Sequence, residues 1–308
     1  MAPYILRRIF WALPVLFAVA TITFVLMRLA PGGPWGDSIA LSDQARDNVR
    51  KAYDLDRPLW EQFGIYWFRL AQGDLGISYR GHHRPVATIL ADGIRVSATL
   101  GALALAVSVT VGVALGVVSA LRQNTAVDYA AVAFATAAAS VPSFILGMLL
   151  IVLFTSHLRW LPSSGWGSPA QAVMPVLALS ALPAAFIARV TRASLLDVLR
   201  QDYVRTARAK GLRERAVVLR HMLRNALIPV LTVTGPIAAA LVTGSFIVEW
   251  LFSIPGVGFA FVTSIRQRDY GVIMGTTLFY TAIVVFANLA VDALYAVLDP
   301  RIRYETRG

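Results

Sequence analysis

Six long runs free of charged side chains punctuate the chain, at residues 9–27, 96–121, 129–156, 173–188, 226–248 and 272–291. Most match or exceed the ~20 residues that an α-helix needs to cross a bilayer. The first also exceeds the roughly 7–15 apolar residues of a signal-peptide core, so it reads as a retained first span, and Pro14 inside it is tolerable in a membrane helix. The pattern predicts an all-α polytopic membrane protein with six transmembrane helices. Two polar segments between the runs are too long to be simple connectors. In residues 31–92, Trp60, Phe63, Trp67 and Leu70 recur at helical spacing after Pro58, which predicts an amphipathic helix, and 72–78 reads as turn chemistry. Such a segment suits a cap on the outer membrane interface or a docking surface for an extracytoplasmic partner, and the two roles are compatible. In residues 189–224, Gly211 separates two amphipathic helical patterns, at a place where glycine suits the left-handed end of a helix.

Charge orients the spans. Residues 189–224 hold ten Lys/Arg against Asp197, Asp202 and Glu214. Basic residues in short loops near span ends mark the cytoplasmic side. With six spans, the short segments on that side carry sixteen Lys/Arg, including Arg7, Arg8, Arg122, Arg301, Arg303 and Arg307; the opposite short loops carry three, Arg159, Arg266 and Arg268. The segment 31–92 has seven basic and eight acidic residues, but long translocated segments are largely exempt from the rule. Both termini are therefore expected in the cytoplasm.

Composition narrows the function. The chain has 308 residues, is 57% hydrophobic and only 15% charged, against about 25% charged in average globular chains; its mean hydropathy is +0.65. A net charge of +11 raises nucleic-acid binding, yet the positive charge follows the loops between apolar runs, so no nucleic-acid partner is expected. The absence of cysteine excludes disulfides and thiolate chemistry. Lys51 and Lys210 are the only lysines, and neither ends a phosphate-binding loop, so any ATP hydrolysis belongs to another polypeptide. No metal is expected either: His82-His83 lacks a carboxylate or third ligand at coordination spacing. Gly256-Val-Gly258 lacks the third glycine of a dinucleotide fingerprint, Phe261 standing in its place.

Within the runs, Gly101, Gly112, Gly116 and the alanine-rich stretch 130–139 predict close helix–helix approach. Pro142, Pro175, Pro183, Pro229 and Pro236 fit helices that pack on protein or line a cavity. Glu249 and Asp292 stand at span ends and read as interfacial groups or helix-end partners, with a gate or substrate-amine contact as the functional alternative. Clear mid-span carboxylates would be needed for an ion-driven secondary transporter, and a nucleophile–base pair for an intramembrane enzyme; neither stands in the runs.

At the level of motifs the chain resembles the inner-membrane permease subunits of type I ATP-binding-cassette importers, and closely the B-type branch of oligopeptide/dipeptide permeases. The likeness runs nearly end to end. It rests on Met27-Arg-Leu-Ala-Pro-Gly-Gly-Pro34, Gly73-Asp-Leu-Gly76, Trp160-Leu-Pro162 and Tyr203-Val-Arg-Thr-Ala-Arg-Ala-Lys-Gly-Leu212, and continues through Gly244-Ser-Phe-Ile-Val-Glu249, Ile254-Pro-Gly-Val-Gly258 and Leu298-Asp-Pro-Arg301. The family's general cytoplasmic signature, Glu-Ala-Ala with Gly after a gap of three, is Arg205-Thr206-Ala207 before Gly211 here, so any role tied to the Glu does not transfer. Arg224 stands where the wider family has Pro.

The resemblance implies half of a permease in the bacterial cytoplasmic (inner) membrane, paired with a second homologous permease subunit, two cytoplasmic ATPase subunits that hold Mg-ATP, and an extracytoplasmic peptide-binding protein. No catalytic residue and no cofactor would belong to this chain. Arg205, Thr206, Ala207, Arg208, Ala209, Lys210, Gly211 and Leu212 would form the coupling helix docked on one ATPase. Its organisation would be an N-terminal transmembrane helix (1–30), an extracytoplasmic region (31–94), a transmembrane domain (95–292) containing the coupling loop (189–225), and a cytoplasmic tail (293–308). Small polar groups suit a watery path, which makes Ser140, Pro142, Ser143, Thr243 and Ser245 the candidate translocation-path residues. Related permeases carry nickel, glutathione or other small solutes, so the cargo stays open at this point, as does the different class of a secondary transporter.

Overall fold

Proline and glycine decide where the apolar runs become helices and where those helices stop. The computed structural model describes residues 2–30, 33–34, 51, 53–80 and 84–298. Arg301, Arg303 and Arg307, the His82-His83 pair, and the side chains of Arg7, Arg8 and Asp292 lie outside what is described. Among the described residues the regular elements are helices: α1 (Ala2–Leu29), α2 (Leu59–Ala71), α3 (Val86–Leu121), α4 (Ala126–Ser140), α5 (Ser143–His157), α6 (Pro169–Leu199), α7 (Asp202–Ala209), α8 (Glu214–Val242), α9 (Phe246–Leu251), α10 (Val257–Gln267) and α11 (Tyr270–Leu298). α8 winds as a wider π-helix over Val217–Met222. The chain divides into two compact units, Met1–Val96 with Pro255–Gly308, and Ser97–Ile254.

Four described helices are long and apolar enough to cross a membrane: Phe10–Leu29 of α1, α3, α6 and α8. The run 129–156 departs from a single straight span. It breaks into α4 and α5, which meet at 101°. Val141 is extended (φ −98°, ψ 122°), as the residue before a proline prefers, and Pro142 (φ −54°, ψ 140°) starts the next helix where its missing N–H costs nothing. The sixth run lies in α11, a helix of 29 residues. α3 has 36 residues, about 54 Å at 1.5 Å per residue, so its first turns reach well beyond a hydrocarbon core of about 30 Å.

In the first unit, α1 and α11 share a core of Ala20, Phe24, Met27, Tyr270, Ile273, Met274 and Leu278. α2 lays Phe63, Tyr66, Trp67 and Leu70 against it, which bears out the amphipathic helix expected after Pro58 except at Trp60, which is exposed. The following turn is pinned by a residue that no sequence motif singled out. Asp269 is 2% exposed and accepts hydrogen bonds from Ser78 Oγ, Tyr79 N (3.0 Å), Arg80 N (3.2 Å) and Val272 N (3.3 Å). Asp269→Ala should therefore destabilise this unit by about 2–3 kcal/mol, because three donors of the 78–80 turn lose a charged acceptor. Faster limited proteolysis after Gln72 would register it; an unchanged cleavage rate would contradict the assignment.

In the second unit, α3 meets its neighbours at residues without side chains. A Cβ on Gly101 would lie 2.4 Å from Leu241 O, on Gly112 2.7 Å from Ala184 O, and on Gly116 2.5 Å from Ala188 O. Ser108 joins the same stripe, donating to Ser180 O at 3.2 Å. Small residues at every fourth position thus bring α3 and α6 to backbone contact, as their spacing predicts. The alanines of 130–139 behave differently: Ala135 is buried, Ala130, Ala133 and Ala137 are exposed, and Ala131, Ala138 and Ala139 are half-buried.

Candidate functional site

The basic segment 189–224 folds as an elbow, and the outward face of that elbow is the candidate site. α6 runs unbroken to Leu199, Gln201 is extended (φ −75°, ψ 145°), and α7 then starts at Asp202. α7 closes at Lys210, and Gly211 follows at φ +73°, the left-handed geometry that its position predicts. Gly211 N donates to Arg208 O at 2.9 Å.

Two side chains seat α7. Val204 and Ala207, three apart and therefore on one face, are buried in a cluster with Ala120 of α3, Leu195 of α6, and Val217, Val218, Met222 and Ala226 of α8. Full burial of a valine side chain stabilises by about 2 kcal/mol, enough to hold two turns of helix that are too short to persist alone. Of the eight residues expected to form the coupling element, Ala207 therefore points inward; Arg205, Thr206, Arg208, Ala209, Lys210, Gly211 and Leu212 are exposed. Arg205 and Ala209 share one face of α7 at i, i+4 spacing, and Leu212, past the helix end at Gly211, is an exposed apolar residue at the elbow's tip.

Polar contacts stiffen the elbow. Arg208 forms a two-pronged pair with Glu214 across Gly211, Nε to Oε2 at 3.1 Å and the terminal nitrogen to Oε1 at 2.6 Å. That contact raises the Arg208 pKa; with both groups exposed, its worth is structural register rather than stability. Tyr203 Oη accepts from Asn225 Nδ2 at 2.8 Å, tying α7 to α8. Val204, Tyr203 and Glu214 were missed as site residues. The only sequence signal for Val204 was its apolar spacing from Ala207 inside an otherwise polar octet.

The five candidate path residues all stand at helix breaks of the second unit. Ser140, Pro142 and Ser143 flank the α4–α5 bend, and Thr243 and Ser245 flank the gap between α8 and α9. α5 and α9 pack together, with Gly147 against Leu251 and Phe252. Three of the hydroxyls are engaged with nearby backbone: Ser140 Oγ donates to Thr136 O (2.8 Å), Thr243 Oγ1 to Ala239 O (2.5 Å), and Ser245 Oγ caps α9 by accepting from Val248 N (3.4 Å). Glu249 corrects the expectation of an interfacial carboxylate. It is 0% exposed, accepts from Ser97 Oγ at 2.8 Å and Ser245 N at 3.3 Å, and lies against Gly244, whose φ of +91° and lack of a Cβ leave room for the carboxyl. Water and headgroups do not reach it, because α9 folds back and turns Glu249 inward against α3.

A family model described as "Binding-protein-dependent transport system inner membrane component" matches residues 112–304, a range that contains the elbow, both breaks and α6 to α11. The chain belongs to this family. The permease is similar over its full length to the dipeptide transport system permease protein DppB of Bacillus subtilis strain 168, at 44% identity with 100% of both chains covered. It is 42% identical to the oligopeptide transport system permease protein OppB of Salmonella typhimurium, over 99% of this chain and 100% of that one. Among solved structures, a chain of the inward-facing MetNI methionine ABC transporter aligns with a TM-score of 0.56 at 20% identity, covering 69% of the permease and 97% of its counterpart. A chain of an amino acid ABC transporter crystallised with histidines aligns with a TM-score of 0.52 at 17% identity, covering 70% and 94%. The permease thus shares the type I importer fold and is a multi-pass inner-membrane transport component, from a family of transporters and not of enzymes.

Proposed function

We propose that this permease is one of two similar membrane subunits of an ATP-driven importer of peptides. It would work with two cytoplasmic ATPases, which hold Mg-ATP, and an extracytoplasmic binding protein that delivers the peptide. Relatives named for dipeptide and for oligopeptide transport, at 44% and 42% identity over whole chains, support the peptide cargo. The charge bias of the short loops supports cytoplasmic termini and a cytoplasmic elbow.

One observation carries the coupling role: a two-turn helix is anchored on its inner face by Val204 and Ala207, while Arg205, Ala209 and Leu212 are presented outward. A short, rigid, one-sided helix of this kind suits insertion into a groove of a partner and passes on that partner's rigid-body motion. In this reading, ATP-driven closure of the ATPases draws the two elbows together and opens the cavity between the permeases outward. Ser140, Pro142, Ser143, Thr243 and Ser245 remain the proposed path residues, at breaks where irregular backbone is tolerated only beside protein or water. Uptake of labelled peptide into vesicles carrying the whole transporter should require both ATP and the binding protein and should ignore a proton uncoupler. Uptake that persists without ATP, or collapses with the uncoupler, would return the chain to the secondary transporters.

A further inference from the structure

We infer that Asp128, Ser119 and Arg192 form a clamp that carries motion of the elbow to α4, and that they are positioning residues for coupled transport; the inference rests on the coupling role proposed for α7. Asp128 lies in the first turn of α4, is 2% exposed, and has every acceptor position engaged. Arg192 of α6 approaches it side-on, Nε to Oδ1 at 2.8 Å and the terminal nitrogen to Oδ2 at 2.7 Å. Asn124 N donates to Oδ2 at 3.0 Å. Ser119 of α3 donates its hydroxyl to Oδ1 and accepts from Arg192 Nε at 3.0 Å. Three helices therefore meet in one saturated network, 64 residues apart in sequence at its widest charged contact.

Placement gives the network its role. Ser119 adjoins Ala120, and Arg192 stands one turn before Leu195; Ala120 and Leu195 both belong to the apolar cluster that seats Val204 and Ala207. That cluster takes no side chain from α4 among the described residues. A displacement of α7 thus reaches the ends of α3 and α6 by packing. α4 also packs directly on α6; the clamp adds a polar link that ties both α3 and α6 to the first turn of α4, which leads on to the Val141–Pro142 bend. A guanidinium fork held by both carboxylate oxygens fixes the angle between α4 and α6 as well as their distance, which a point charge does not.

This separates orientation from charge neutralisation. Arg192→Lys keeps the charge and loses the fork; Asp128→Asn keeps the shape and loses the charge; Ser119→Ala removes the hydroxyl bridge to α3. In vesicles holding the complete transporter, peptide imported per ATP hydrolysed should fall about fivefold or more for Arg192→Lys and Asp128→Asn, and about twofold for Ser119→Ala, within the range that couplings of this size modulate. The chain has no cysteine, so Lys210→Cys on the exposed elbow reports docking by crosslinking to a cysteine on the ATPase, and its yield should be unaltered by the clamp variants. A ratio unchanged in variants that crosslink normally overturns the clamp and leaves docking standing. Import and hydrolysis falling together at constant ratio also overturn it, since that marks a merely structural role. Failure of Lys210→Cys to crosslink in the otherwise unaltered transporter takes down the docking reading and the clamp with it. Should Asp128→Asn fail to fold, Arg192→Lys and Ser119→Ala decide by the same ratio.

Discussion

Gly211→Val should reduce ATP-driven peptide uptake to background while leaving membrane insertion intact. Gly211 sits at φ +73° with no atom within 4 Å of where a Cβ would stand, so the obstacle is backbone conformation and not space within this chain. A β-branched residue in the left-handed region carries strain of about 1–3 kcal/mol, and the chain relieves it by unwinding the end of α7. Unwinding breaks the Gly211 N to Arg208 O bond and displaces the Arg208–Glu214 pair, so the outward face of Arg205 and Ala209 loses its register and Leu212 is displaced from the elbow's tip. Gly211→Asn is the informative companion, because asparagine tolerates the left-handed region. Uptake retained with Asn and lost with Val locates the defect in the backbone. Equal loss with both would mean that a docked partner needs the bare glycine surface. Undiminished uptake with Val would remove the elbow from the transport mechanism.

The second large effect is expected at Gly116. A Cβ there would stand 2.5 Å from Ala188 O and 2.6 Å from Thr191 Cβ, so Gly116→Ile must push α3 away from α6 along the stripe of small residues. Overpacking of this kind costs about 3 kcal/mol or more, because neither contacting group is the free end of a flexible side chain. The purified permease should lose roughly 5 °C or more in thermal midpoint. Gly64→Ile on α2, where nothing lies within 4 Å of the added carbon, supplies the control and should leave the midpoint nearly unchanged. Equal behaviour of the two variants would mean that α3 and α6 do not approach as described. Both experiments exploit glycine, yet for different reasons: Gly211 is required for a torsion angle, and Gly116 for the absence of a side chain.

Particular residues show how far the chain could be read beforehand. The spacing of Phe63, Trp67 and Leu70 predicted α2 and its buried face, because a 3.6-residue period is a local property. Gly211 predicted the end of α7 for the same reason. The run 129–156 showed Pro142, but the 101° between α4 and α5 depends on what each half packs against. The position of Glu249 at the end of an apolar run suggests an interfacial group; its burial depends on α9 folding back after Gly244 to meet Ser97, a residue 152 positions from Glu249. Arg192 counted only as one of ten basic residues, since nothing local distinguishes an arginine that saturates a buried carboxylate from one that faces water.

The order of polar and apolar residues alone determined that this permease is helical, crosses the membrane several times, and concentrates basic charge in one loop built of two amphipathic helices. Those properties follow from bilayer thickness, helical periodicity and loop charge, each of which acts over one segment at a time. Tertiary structure alone decided which face of α7 is anchored and which is offered, that Asp128, Ser119 and Arg192 meet, and that Glu249 is enclosed. Such pairings depend on which helices lie side by side, and close packing across distant segments sets that, through contacts no single stretch of chain encodes.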